Sequence, residues 1–192
     1  MNKDRIVFVN IGWMIKYSGV SVLDPTLGGH GYLKGNKFGH EAWNFLPNQG
    51  NMYGYVPRSS RINIRNLGAD NESQKIGGVT VVWIARSPRD KKIYIVGWYR
   101  EATIYNDSDH IILRRPGNFD VGYQIVAPAE YAMLLPIDQR LFQIPTAGSN
   151  GRGNLGQSPL WYGRDDNFRY SVISYIESEG KIPTSNISKS KK

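Results

Sequence analysis

His40 and Glu41 stand together in His40-Glu41-Ala42-Trp43-Asn44, which opens like a zinc-protease helix but has Asn44 where the second histidine ligand belongs. A catalytic zinc would have to draw on His30, His40 and Glu41 across the glycine-rich stretch GGHGYLKGNKFGHE, so no metal site is expected there. The string Gly151-Arg152-Gly153-Asn154-Leu155-Gly156 matches the dinucleotide-binding pattern, yet Pro145 and Pro159 bracket it as a loop rather than a strand-to-helix turn. Asp107 with Asp109 reads as a turn and Asp165 with Asp166 as a helix cap, which leaves a divalent-cation nuclease site without partners. No catalytic residue and no cofactor is therefore expected. The enzyme alternative is a small nuclease or toxin using His40 and Glu41.

The richer signal is aromatic and amide. Asn10, Trp13, His40, Trp43, Asn44, Tyr53, Tyr55, Trp83 and Trp98 are the candidate base- or ligand-binding residues. Aromatic faces stack on bases, and an asparagine can read a Watson–Crick edge with a paired donor and acceptor. Trp13, Trp43 and Asn44 are expected to bracket and read a base, with Trp83 and Trp98 as a supporting wall on one recognition surface. Lys34 and Lys37 in the glycine-rich loop, with Arg86 and Arg89 after the first central strand, are the candidate phosphate contacts. A small-ligand or protein-interaction sensor using the same aromatic pocket is the second alternative.

Composition narrows the partners. The formal charge of +8 favours a polyanion, because a basic surface gains affinity by releasing counterions from nucleic acid. Half of that charge lies on four lysines within residues 181–192, a polar, serine-containing stretch expected to be a disordered basic tail. Residues 1–180 are expected to form one domain, since 192 residues suffice for a single well-buried core. The absence of cysteine removes disulfides and thiolate chemistry. No apolar run approaches the roughly 20 residues of a membrane span, so a cytoplasmic protein with no membrane partner is expected.

The elements that must position these residues follow from periodicity. Residues 5–11 read as a first strand, and 79–85 and 93–99 as two central strands apolar on both faces. Short strands are expected near 43–46, 52–56, 62–64 and 123–127, with a brief helix or turn through 128–135. Residues 23–39 are too glycine-dense for a regular element. After Asp165 as N-cap, Phe168, Val172, Ile173, Tyr175 and Ile176 share one helix face, and Gly180 stands where a left-handed C-terminal residue belongs.

The strings FVNIGWM, FGHEAWNF, MYGYV, YIVGWYREATIY, LLPIDQRLFQIP and GQSPLWYG resemble a prokaryotic module found on the N-terminal side of HNH-type and other restriction-like endonucleases. IVGWYREATIYND is similar, more weakly, to the late strand of EVE and YTH domains, the PUA-like readers of modified bases. The resemblance implies an α+β, β-rich fold, a PUA- or EVE-like twisted sheet or partly open barrel with flanking helices. It also implies binding of nucleic acid, DNA rather than RNA, with a modified or flipped base read for a restriction or defence system. A nuclease domain or subunit would be the partner.

Overall fold

The computed structural model describes residues 1–27, 39–56, 60–107, 111–146, 155–156 and 158–181. Its frame is a mixed seven-stranded sheet built from β1 (Ile6–Ile11), β2 (Asn51–Gly54), β3 (Lys75–Arg86), β4 (Ile93–Tyr105), β7 (Ile125–Pro128), β8 (Ala132–Leu134) and β9 (Leu160–Trp161). The order is β2-β7-β4-β3-β1-β9, with β8 also on β4, and the path does not close into a barrel. A separate hairpin joins β5 (Ile111–Arg115) to β6 (Phe119–Tyr123). The fold is thus β-rich α+β, with one α-helix, α1 (Asp166–Glu177), among the described residues.

β1 pairs with β3 in parallel, Ile6 against Thr80 through Ile11 against Ala85, whereas the other pairings are antiparallel. Parallel strands end at the same edge of a sheet, so whatever follows β1 meets whatever follows β3. Both strands are buried on each face, the pattern their unbroken apolar runs require.

Two cores lie on the two faces. On one, Val7, Val9, Val81, Trp83 and Tyr99 pack under Trp43, Phe45, Tyr17 and the β5–β6 hairpin. On the other, Ile6, Phe8, Val82, Ile84, Ile95 and Trp98 pack against Val172, Ile173, Tyr175 and Ile176 of α1. α1 forms as its sequence requires: the Asp165 side chain accepts from the Phe168 N–H at 2.7 Å, and Gly180, at φ +82°, donates its N–H back to the Tyr175 carbonyl.

Three expectations are corrected. Residues 43–46 are no strand: residues His40–Trp43 wind into a 3-10 turn closed by successive bonds from Ala42 N–H to Gly39 O and Asn44 N–H to Glu41 O. Ile62 to Ile64 likewise gives way to a 3-10 turn, Ile64–Leu67. Trp83 and Trp98 do not share a surface, because Trp83 pairs with Gly97, so Trp98 stands opposite Val82 and points to the other face. Both tryptophans are buried, in different cores. No helix among the described residues is long and apolar enough to cross a membrane.

Candidate nucleic-acid interface

The chain leaves β1 through Gly12, where a Cβ would run into the Thr26 methyl group and crowd a Glu41 carboxylate oxygen. The Gly12 N–H donates to that oxygen, Glu41 Oε1, at 3.1 Å. Glu41, nearly buried, therefore acts as a latch between the 3-10 turn and the loop after β1. Trp13 and Leu27 then exchange two backbone hydrogen bonds, 2.7 and 2.9 Å, which close residues 13–27 into a loop with a fixed base.

Inside that loop Asp24 holds the turn below it: its two carboxylate oxygens accept from the N–H groups of Ile15 at 2.6 Å and Lys16 at 2.8 Å. Tyr17, fully buried, donates its hydroxyl to Gly12 O at 2.7 Å and accepts from Met14 N–H at 3.1 Å, and burial pushes its phenol far above the ordinary tyrosine range. Arg140 supplies the outer brace. Its guanidinium donates to Leu135 O at 3.0 Å, Met14 O at 2.6 Å and Ile15 O at 2.8 Å, and lies 5.0 Å from the Trp13 ring centre. Burial lowers its pKa, opposed by the nearby Tyr17 and Asp24.

Because β1 and β3 are parallel, this loop lies beside the turn that follows β3. Together they form a cleft of about 240 Å³ lined by Trp13, Met14, Ile15, Asp24, Pro25 and Leu27 from the loop, Pro88 and Arg89 from the turn, and Ile137. The lining is mainly apolar, with Asp24 and Arg89 as its charged groups. The adjoining turn is basic: Arg86, Arg89, Lys91 and Lys92 are all exposed, and Asp90 is the single acid among residues 86–92. Arg86 donates to the Lys91 carbonyl and Arg89 N–H to Ser87 Oγ, which hold the turn in shape.

The structure thus brings together Trp13 and Arg89 of the expected site residues, with Arg86 close by. It adds Asp24, Pro88, Leu27 and Ile137, which sequence reasoning missed. Asp24-Pro25 is itself a turn signal, and an aspartate that caps backbone N–H groups was legible in that dipeptide. Lys34, Lys37 and His30 lie outside the described residues.

Of the remaining candidates, His40, Trp43, Asn44, Tyr53 and Tyr55 gather on the Trp83 face of the sheet, whereas Asn10 and Trp98 lie on the α1 face. Trp43 is fully buried with its ring 5.3 Å from that of Phe119. Asn44 is also buried; its Oδ1 accepts from Tyr55 N–H at 2.9 Å and its backbone carbonyl accepts from the Tyr99 hydroxyl. The amide oxygen is thus spent on the backbone, while the buried Nδ2 has no hydrogen-bond partner among the described residues. Half-buried His40 meets Tyr55 edge-on at 5.1 Å, and Tyr53 lies 5.7 Å from the guanidinium of Arg115, which in turn donates to Tyr123 Oη at 2.7 Å. Asn10, half-buried on β1, alternates with Val9 and Ile11 and so points to the α1 face. Among the described residues no three histidine or acidic side chains gather as a metal site would require.

A second, more polar cleft of about 520 Å³ lies at the opposite end of β1, lined by residues that include Asp4, Arg5, Asn66, Arg164 and Arg169. Two of its arginines are already engaged: Arg169 donates to Gly163 O and Tyr162 O and pairs with Asp4 at 3.4 Å, and Arg5 donates to Gly77 O.

The fold and site define a mixed-sheet α+β protein with an apolar, tryptophan-walled cleft beside a basic turn. No family model matches the chain, and neither a curated protein nor a solved structure matches it.

Proposed function

We propose that this chain is a PUA-like nucleic-acid recognition module that takes one unpaired or extruded DNA base into the Trp13 cleft. The observation that carries this reading is the meeting, in one small cleft, of an aromatic wall, a carboxylate and an arginine, next to a turn with four exposed cations. A cleft of about 240 Å³ is below the usual range for drug-sized ligands and suits something the size of a single base. Trp13 offers the aromatic wall, Arg89 and Arg86 lie where phosphates flanking the base would pass, and Asp24 keeps lone pairs beyond the two bonds it accepts.

A carboxylate accepts from N–H groups, so Asp24 favours a base edge that presents an amine, such as the cytosine N4 amine. The apolar residues Leu27 and Pro88 are natural contacts for a base methyl group, which supports a modified cytosine as the ligand. The sequence resemblance supports a restriction or defence setting in which a nuclease domain or subunit does the cutting.

Fluorescence anisotropy with single-stranded and duplex DNA, unmodified and carrying 5-methylcytosine, tests the reading. Trp13→Ala should weaken binding roughly tenfold to a hundredfold, because the base no longer stacks. Arg89→Ala should weaken all sequences alike and reduce the salt slope by about 0.9 for each phosphate that is no longer neutralised. If folded Trp13→Ala binds every probe like the parent, the cleft is not the base site.

A further inference from the structure

We infer that the Val22–Leu23 turn is a wedge that enters a base step of duplex DNA and unstacks it beside the Trp13 cleft. The turn is closed by a bridge between Ser21 and Asp24, with Asp24 N–H donating to Ser21 O and Leu23 N–H to Ser21 Oγ. At its tip Val22 is 97% exposed and Leu23 87% exposed. Turn tips ordinarily carry glycine, proline, asparagine, aspartate or serine, each for a backbone reason. A β-branched valine followed by leucine meets none of those reasons, and neither side chain contributes to a core.

The mounting is rigid. Asp24, the last residue of the turn, is nearly buried and ties down the N–H groups of Ile15 and Lys16, and the Trp13–Leu27 pair closes the loop behind it. Asp24 also lines the cleft, so tip and cleft are joined through one residue. Exposed Lys16 stands beside the turn, exposed Arg89 lines the same cleft as Asp24, and exposed Lys91 and Lys92 follow Arg89 in the chain. An apolar tip flanked by cations matches a base step flanked by phosphates; apolar side chains of this kind partly unstack and kink duplexes. A tip of two residues is far smaller than the roughly 20–30 residues a side of a standard protein interface.

This inference rests on the base-binding reading, and the experiment separates the two. The probe is a DNA duplex with one 2-aminopurine beside a cytosine, together with the same strand alone. The parent should bind both and raise the 2-aminopurine fluorescence of the duplex severalfold as the base unstacks. The Val22→Ser/Leu23→Ser variant should keep the parent's melting temperature and single-strand affinity, lose the fluorescence rise, and bind the duplex about tenfold more weakly. Leu23→Phe should retain the rise.

The wedge is overturned if the serine variant keeps the rise, if the parent binds duplex without any rise, or if single-strand and duplex binding fall equally. It is also overturned if the serine variant binds DNA like the parent while losing self-association in sedimentation, which would make the tip a protein contact. A parent that binds neither probe sinks the base-binding reading and the wedge with it.

Discussion

Replacing Arg140 tests whether the loop that carries Trp13 is held by a buried cation with no hydrogen-bonded acid. Arg140 is 3% exposed and spends its donors on three backbone carbonyls, those of Leu135, Met14 and Ile15. Hydrogen bonds from a charged donor are worth about 1.5–3 kcal/mol each, but burying the guanidinium itself costs several kcal/mol, so the net contribution is far below the gross sum. Truncation is costlier than that net figure, because it leaves buried carbonyls unpaired and removes the cation from the Trp13 face. For Arg140→Ala we expect a loss of about 3–5 kcal/mol, which for a chain of this size lowers the melting temperature by roughly 6–20 °C. Arg140→Lys keeps the charge but not the planar fork, reaches fewer of the carbonyls, and should lose about 2 kcal/mol. Denaturant unfolding followed by tryptophan fluorescence measures both, with exposed Arg61→Ala as a control expected within about 0.5 kcal/mol of the parent. If Arg140→Lys and Arg140→Ala both match that control, the carbonyl clamp does not hold the loop.

Three further outcomes are expected. Trp43→Ala should destabilise by about 3–5 kcal/mol in denaturant titration, since a fully buried indole leaves a cavity, while the folded fraction binds DNA with the parent's affinity; weaker binding by folded protein would return Trp43 to the ligand site. Burial raises the phenols of Tyr17, Tyr99, Tyr123 and Tyr175, so the unfolded chain releases protons above about pH 10 that the native protein retains. Stability should then be whole below that pH and fall above it by about 1.4 kcal/mol per pH unit for each such tyrosine, and Tyr17→Phe should make the fall shallower in alkaline denaturation. Gly12→Ala should cost about 1–3 kcal/mol by thermal melting, because its methyl group must displace Thr26 and the Glu41 carboxylate.

The long strands and α1 were legible because each carries its own periodicity. Val79 to Ala85 lies within β3 and Ile93 to Tyr99 within β4, and Asp165 caps α1 as its position before Phe168 implies. What escaped is what depends on pairing. The faces of Trp83 and Trp98 follow from the register Trp83 to Gly97, which two separate apolar runs do not contain. The β5–β6 hairpin was hidden by its charged end: Arg115 looks like a surface residue, yet it is buried and donates to Tyr123 Oη and Leu46 O. The pair His40-Glu41 has residue types suited to catalysis, yet the Glu41 carboxylate accepts the Gly12 N–H and so fastens two loops together.

The arginines carry the same lesson about charge. A sequence sum treats every cation as surface, but Arg115, Arg140 and Arg169 are buried and serve backbone carbonyls or tyrosine. Their charge still contributes to the field around the protein, while their donors are no longer available to a phosphate. On the proposed reading, contact with a polyanion falls to exposed cations, and the turn after β3 carries four of them, Arg86 with one donor already on the Lys91 carbonyl. That turn adjoins Trp13 for a topological reason. Parallel strands end at the same edge of a sheet, and β1 with β3 is the one parallel pairing among the described strands of this sheet. Ile11 opposite Ala85 sets Gly12 and Trp13 beside Arg86 to Arg89, so the pairing that builds the core also joins an aromatic wall to a basic turn.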